Sequence, residues 1–173
     1  MADIQAAIDF VMHQEDAGMT GKITTLRGDT GGATRYGIAS KFHPGLVKAG
    51  FFDFSMPNSE AYPLAQRVYA QDYCAPLLVD QIVSQDLANH ILSFAVNDGC
   101  SKGVLLLQWA INQLLTEAVV PDGVMGAKTV YEANRCMPTS LLNALRLQEI
   151  AFHVELAADT PQFLLGWLRR DLA

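Results

Sequence analysis

Two carboxylates and a hydroxyl near the N-terminus are the residues of this chain whose types and spacing can break a glycosidic bond. Glu15 follows Val11 and Met12 at helical spacing, so a helix through this segment points it where an apolar stripe points. Partial burial there disfavours the charged carboxylate, which is what a general acid needs to hold its proton near neutral pH. Asp29 follows within "GDTGGAT", whose glycines let the backbone approach a bound sugar closely. It is the candidate second carboxylate across the scissile bond, and the Thr34 hydroxyl can hold the attacking water. Each residue also has a plainer reading. A helix-end glutamate is commonly solvated or a cap, and an aspartate before Thr-Gly-Gly is commonly a turn former. Their joint occurrence is what favours chemistry.

The elements that must position them are mostly helices. Residues 3 to 15 read as an amphipathic helix, with Ile4, Ile8, Val11 and Met12 on one face. Residues 17 to 37 hold six glycines between short β-like pieces, which predicts a small β-hairpin near residues 21–38, the only β signal in the chain. A helix is expected from Ser59 as N-cap, with Leu64, Ala65, Val68 and Tyr69 as its stripe up to Pro76. Leu87, Ile91, Phe94 and Ala95 mark another, ending at Asn97-Asp98-Gly99, and Val104 to Leu115 is apolar nearly all round, as expected at the centre of a bundle. "PDGVMG", residues 121 to 126, reads as a structural turn. Helices are then expected over 127–135, 139–158 and 161–170, the last with Thr160 as cap and Pro161 at its first position. No linker divides the chain, so one mostly α domain over 1–173 is expected.

Composition narrows the function. A chain of 173 residues, half apolar and 17% charged, can bury roughly 70% of its unfolded surface without metal or disulfide. No apolar run approaches the ~18 residues of a membrane span, and a soluble protein is expected. The net charge of −6 is the wrong sign for a nucleic-acid binder or an anionic-membrane binder. The N-terminus carries no basic side chain before Lys22 and so lacks the charged region of a secretory signal, which predicts synthesis into the cytoplasm. Cys74, Cys100 and Cys136 match no zinc spacing and read as buried thiols, with a Cys74–Cys100 disulfide open if the protein works outside the cytoplasm. His13-x-Glu15 begins a zinc deaminase pattern, but no Pro-Cys-x-x-Cys follows. His13 is expected to pair with Asp9, and His153, Trp109 and Trp167 to belong to the core. No metal and no cofactor are implied. Tyr36, beside Thr34, either stacks on a sugar or packs under the hairpin, and Asn97 reads as a helix C-terminal cap.

A glutamate closing a helix, an aspartate in a hairpin and a threonine shortly after resembles the arrangement of phage-type lysozymes. The stretch "GDTGGATRYGIASKF" resembles, more specifically, the Asp-x-Gly-Gly-x-Thr-x-x-Gly-Ile signature of glycoside hydrolase family 108, the bacterial and phage N-acetylmuramidases, through Asp29, Gly31, Gly32, Thr34, Gly37 and Ile38. The resemblance continues through "VYAQDYCAPL", through "FAVNDG" with Phe94, Asn97 and Gly99, and through "LQWAIN" with Leu107 and Gln108. "PDGVMGAKT" is similar to the Asp-Gly-x-x-Gly-x-x-Thr element of the peptidoglycan-binding half of these proteins, through Asp122, Gly123, Gly126 and Thr129. "FLLGWLRR" is similar to their closing Gly-Trp-x-x-Arg, through Gly166, Trp167 and Arg170. Glu15 occupies the place of the family's catalytic glutamate, but Asp16, Ala17 and Gly18 replace the Gly-Gly-Tyr that comes after it there. The departure leaves Asp16 as a rival second carboxylate.

The resemblance implies a lysozyme-like fold in which 1–98 form a catalytic half and 99–173 a peptidoglycan-binding-like helical half sharing one core. It implies cleavage of the β-1,4 backbone of peptidoglycan, with Glu15 as acid, Asp29 as base or charge stabiliser and Thr34 placing water. Tyr36 and Asn97 would then border the sugar, Asn97 as a donor to an acetamido group. The substrate lies in the periplasm or cell wall, so a chain made without a signal must be carried there. Phage lysis through a holin is one route. Delivery by a contact-dependent apparatus such as type VI secretion is the other, and it requires an immunity protein that occludes the cleft in the producer's periplasm. The small acidic chain favours the secreted antibacterial effector over the endolysin. A non-catalytic peptidoglycan-binding module is the reading from a different class.

Overall fold

The computed structural model describes residues 1–25 and 32–172; Asp29 therefore lies outside the described residues. The first helix, α1 (Ile4–Glu15), starts where the Asp3 carboxylate accepts the Ala6 N–H at 3.1 Å, satisfying one of the donors a helix start leaves free. Ala7, Ile8, Val11 and Met12 are buried on one face, and the Asp16 N–H closes the last turn on the Met12 carbonyl at 2.9 Å. The hairpin consists of β1 (Thr34–Arg35) and β2 (Ile38–Ala39), paired antiparallel, with Thr24 bridged to Thr34. Among the described residues this ladder closes around the Tyr36-Gly37 turn and lies at the C-terminal end of the expected span near 21–38.

After a short helix α2 (Pro44–Lys48) comes α3 (Asn58–Val68), continuing as a π-helical turn over Tyr69–Cys74. Ser59 is not its cap. The helix begins two residues earlier, at Asn58 behind Pro57, and has no side-chain cap. The Asn58 side chain at that start is engaged elsewhere, donating to the Thr20 carbonyl and accepting from Arg35. The π turn, which apolar spacing did not announce, adds a residue to the helical period. It turns Tyr69 into the core below the hairpin and keeps Tyr73 half-buried beside it.

The central helix α4 (Gln85–Asp98) is capped by Ser84 and buries a continuous run from Ile91 to Ala95. It packs against α1 on one side and against α5 (Cys100–Leu115) and α7 (Pro138–Leu156) on others. Buried residues from Ala2 to Leu145 form one hydrophobic cluster, and each fully buried Leu or Ile in it contributes about 1.5–3 kcal/mol. The helices α6 (Ala127–Arg135) and α8 (Leu164–Asp171) complete the chain. Among the described residues no helix is long and apolar enough to cross a membrane.

Three further expectations of the sequence are corrected by the structure. Trp109 is 43% exposed, because α5 packs against α4 and α7 and leaves a third side to solvent. Thr160 does not cap the last helix; its hydroxyl donates to the Leu156 carbonyl at 3.1 Å, and Pro161 opens a 3-10 turn before α8. His13 does not meet the Asp9 carboxylate, since its Nδ1 lies 2.8 Å from the Asp9 backbone carbonyl while Gln5 and Tyr62 both donate to the carboxylate. His153 is fully buried and bonded through Nδ1 to Asp171 at 2.7 Å, with Trp167 stacked on its ring. All three cysteines carry free thiols. Burial, then the neighbouring Cys100, pushes the Cys74 thiol up to about 12.

Candidate functional site

The hairpin turn sets the geometry. Tyr36 and Gly37 both have positive φ, 51° and 75°, as the tightest two-residue hairpin loop requires. Glycine adopts this freely; a bulky residue such as Tyr36 does so only when its surroundings hold it there. The Tyr69 hydroxyl donates to the Tyr36 carbonyl at 2.8 Å, and the Tyr36 ring packs edge-to-face on Tyr62 at 5.9 Å. Arg35, 3% exposed, anchors the strand below. Its guanidinium donates to the carbonyls of Gly21, Phe51 and Met56 and to Asn58 Oδ1 at 2.8–3.0 Å. One side chain thus ties the hairpin to the loop after α1 and to the segment before α3.

The Gly37 backbone lies against Glu15 with no space for a side chain. A Cβ at position 37 would come within 2.8 Å of both Glu15 Cγ and the Tyr69 hydroxyl. Half-buried at the end of α1, Glu15 accepts a long hydrogen bond from Asn97 Nδ2 at 3.3 Å, and the same amide donates to the Ser93 carbonyl at 3.0 Å. Asn97 is therefore not the cap of its helix, a place Gly99 takes with its N–H on the Ala95 carbonyl; its side chain folds back one turn onto Ser93 and reaches the acid. Burial, followed by the nearby Glu15 and Tyr73, raises the Tyr69 pKa. Burial, then Cys100, Asp72 and Glu15, does the same for Tyr73. Both stay protonated beside the carboxylate.

Glu15, Asp16, Thr20, Lys22, Thr24, Thr34, Tyr36 and Gly37 line a cleft of about 340 Å³. Glu15, Thr34 and Tyr36 thus face one space, and Asn97 touches it through Glu15. Tyr36 adds little accessible surface to that space, being only 3% exposed. Asp16 is committed locally: its carboxylate accepts from the Gly21 N–H at 2.7 Å and the Thr20 hydroxyl at 3.1 Å, an arrangement that folds the loop after α1. Sequence reasoning missed Arg35, Asn58, Tyr69, Thr20 and Lys22. Nothing in the sequence marked Arg35 as buried; its 3% exposure comes from the acceptors the fold brings around it. No group of residues able to hold a metal ion occurs among the described residues.

The "PDGVMG" turn is served from within. Gln108, 1% exposed, accepts the N–H groups of Asp122 and Gly123 and donates to Asp122, the Val124 carbonyl and the Thr129 hydroxyl. Gly123, at φ 73°, leaves no space for a Cβ beside the Ser101 carbonyl, 2.8 Å away.

A helical frame carrying one acid at a helix end under a two-stranded hairpin has the build of a lysozyme-like protein, and solved structures share it. The structure titled "Structure of Brucella abortus SagA" matches with a TM-score of 0.73 and 24% identity, covering 97% of this chain and 88% of that chain. The chain belongs to the Glycosyl hydrolase 108 family, whose model matches residues 8–99, and a Predicted Peptidoglycan domain matches residues 102–172. It is accordingly a glycoside hydrolase of peptidoglycan. No curated protein matches the sequence.

Proposed function

We propose that the chain is an N-acetylmuramidase in which Glu15 protonates the glycosidic oxygen of the β-1,4 bond. Asp29 is the second carboxylate, acting as base or charge stabiliser, and Thr34 holds the attacking water. For an inverting reaction the two carboxyl groups stand about 6.5–9.5 Å apart, leaving room for that water. The observation that carries the reading is the half-buried Glu15, held by Asn97 over a cleft that Thr34 also lines. Local commitment of Asp16 to Gly21 and Thr20 favours Asp29 over Asp16 for the second role. Tyr36 forms a wall for the sugar, and Asn97 donates to an acetamido oxygen when substrate displaces its bond to Glu15.

The two halves, 1–98 and 99–173, work as one unit. What supports this is the single buried cluster to which α1, α4, α5 and α7 all contribute. In biology the reading is an antibacterial effector acting in the periplasm of a target cell, with an immunity protein covering the cleft in the producer. The net charge of −6 supplies no electrostatic anchor to an anionic wall, which suits a small delivered toxin.

The test is zymography on purified cell walls with wild type and Glu15→Gln, followed by mass spectrometry of the released fragments after reduction. Clearing by wild type alone, with new muramic acid reducing ends, is expected. Glucosamine ends would reassign the bond, and equal clearing by both proteins would remove Glu15 from the chemistry.

A further inference from the structure

A second pocket, of about 230 Å³, opens between the two halves. Its floor and one wall come from α1 and α4, through Gln14, Asn89, His90 and Ser93, and the opposite wall from α7 and α8, through Arg146 and Arg170. Gln14 precedes Glu15 directly, so the pocket and the glycan cleft flank the same end of α1.

The uncommitted groups of this lining are donors on Arg146, Arg170, Gln14 and Asn89 beside the Asp86 carboxylate, and Arg170 also borders Glu149 and Asp171 in an adjoining pocket. Arg146 and Arg170 make no ion pair or hydrogen bond among the described residues, and Arg146 Nε is buried without a partner. Gln14 uses its amide oxygen to accept from the Ser93 hydroxyl at 2.6 Å, and Asn89 uses its own to accept from Gln85 at 2.8 Å. The two amide nitrogens remain free to donate. Two unpaired arginines at one concavity are notable on a chain with a net charge of −6. A buried guanidinium nitrogen without an acceptor is costly to maintain, and its planar donors match a carboxylate bidentately. Asp86 also lines the pocket, and Phe10 and Leu142 add apolar surface. A carboxylate against the arginines, an ammonium toward Asp86 and an aliphatic stem between them would complement the charged and apolar parts of this lining. The volume is below the ~300–1,000 Å³ of a drug-sized site and suits one amino-acid head group.

We propose that this pocket binds the carboxylate end of a peptide stem of peptidoglycan while the neighbouring cleft holds the glycan. The proposal rests on the reading of the chain as a wall hydrolase, and it makes the second half a contributor to substrate binding through Arg146 and Arg170.

The probe is a synthetic stem tripeptide, L-alanyl-D-glutamyl-diaminopimelate, titrated into the full chain by calorimetry, with acetate and inorganic phosphate as separate arms. Saturable binding of the tripeptide is expected, weakened at least tenfold in Arg146→Gln/Arg170→Gln and less in Arg146→Lys, with acetate and phosphate binding far more weakly. Variants are compared at matched circular dichroism. Cleavage of peptide-free glycan strands by the double variant should equal wild type, while its KM on intact walls rises. No saturable binding by the wild type, equal binding by the double variant, or phosphate binding as tight as the tripeptide would overturn the proposal. Loss of glycan cleavage in wild type would instead defeat the hydrolase reading, whatever the tripeptide does.

Discussion

Two glycine-bearing turns of this protein, Tyr36-Gly37 in the hairpin and Asp122-Gly123 after α5, look alike in sequence and are built to opposite ends. Both glycines sit at positive φ, 75° and 73°, and neither has space for a Cβ. At Gly123 the obstruction is the Ser101 backbone, and the polar groups of the turn are consumed by Gln108. At Gly37 the obstructing atoms belong to Glu15 and to Tyr69, and the turn opens onto a cleft. A turn whose polar groups satisfy one another stabilises the fold. One whose neighbours are a carboxylate and a buried tyrosine hydroxyl, over open space, is built to position a side chain for chemistry on the proposed reading.

Matched substitutions can break this comparison. Gly37→Ala has the largest expected effect: the new methyl displaces the Glu15 side chain, and kcat on cell walls should fall about 100-fold, a barrier increase of roughly 2.7 kcal/mol. Its melting temperature should drop less than that of Gly123→Ala. In Gly123→Ala the added methyl meets backbone, so about 2 kcal/mol of stability should be lost in thermal denaturation, while the activity per folded molecule stays at the wild-type level. If Gly123→Ala impaired catalysis more than stability, the assignment of the two turns would be reversed. Asn97→Ala removes the amide that reaches Glu15, and a loss of about tenfold in kcat/KM, roughly 1.4 kcal/mol, is expected with little change in melting temperature.

The smallest effect separates pH-dependent stability from the cleft altogether. Burial raises the pKa of Glu149, against the opposing pull of His90, and also raises that of Asp171. Folded, these groups hold protons that the unfolded chain releases above about 4.5 and 3.8, their ordinary values. Their contribution to stability is therefore complete below those values and declines as pH rises toward the folded pKa. Glu149→Gln should flatten the fall in melting temperature between pH 4 and neutrality, leaving the pH profile of wall cleavage unchanged. A shift of the activity profile instead would couple this cluster to the cleft.

Much of the frame was legible because apolar spacing is a strong signal: α1, α4, α5 and the last three helices lie within a few residues of the expected spans. The hairpin was legible from its glycines, and β1 and β2 pair around the turn at the end of the expected span. The π turn was not legible, since Tyr69 fits the apolar stripe of an α-helix equally well. Arg35 was invisible for a similar reason: an arginine beside a tyrosine in a short strand reads as solvent-facing until four acceptors from three segments close around it. Glu15 and Thr34 stood out because their chemistry depends on residue type, whereas Tyr69 and Asn58 act through where the chain brings them.

The central claim, that the acid ending α1 drives bond cleavage while its neighbour Asp16 shapes the loop, is tested most directly by comparing Glu15→Gln with Asp16→Asn. The rate of reducing-end release from purified walls is measured for each at matched melting temperature. The account predicts a fall of about 10²–10⁴-fold for Glu15→Gln and a rate within about tenfold of wild type for Asp16→Asn. A Glu15→Gln rate equal to wild type, or a deeper loss in Asp16→Asn, would contradict it.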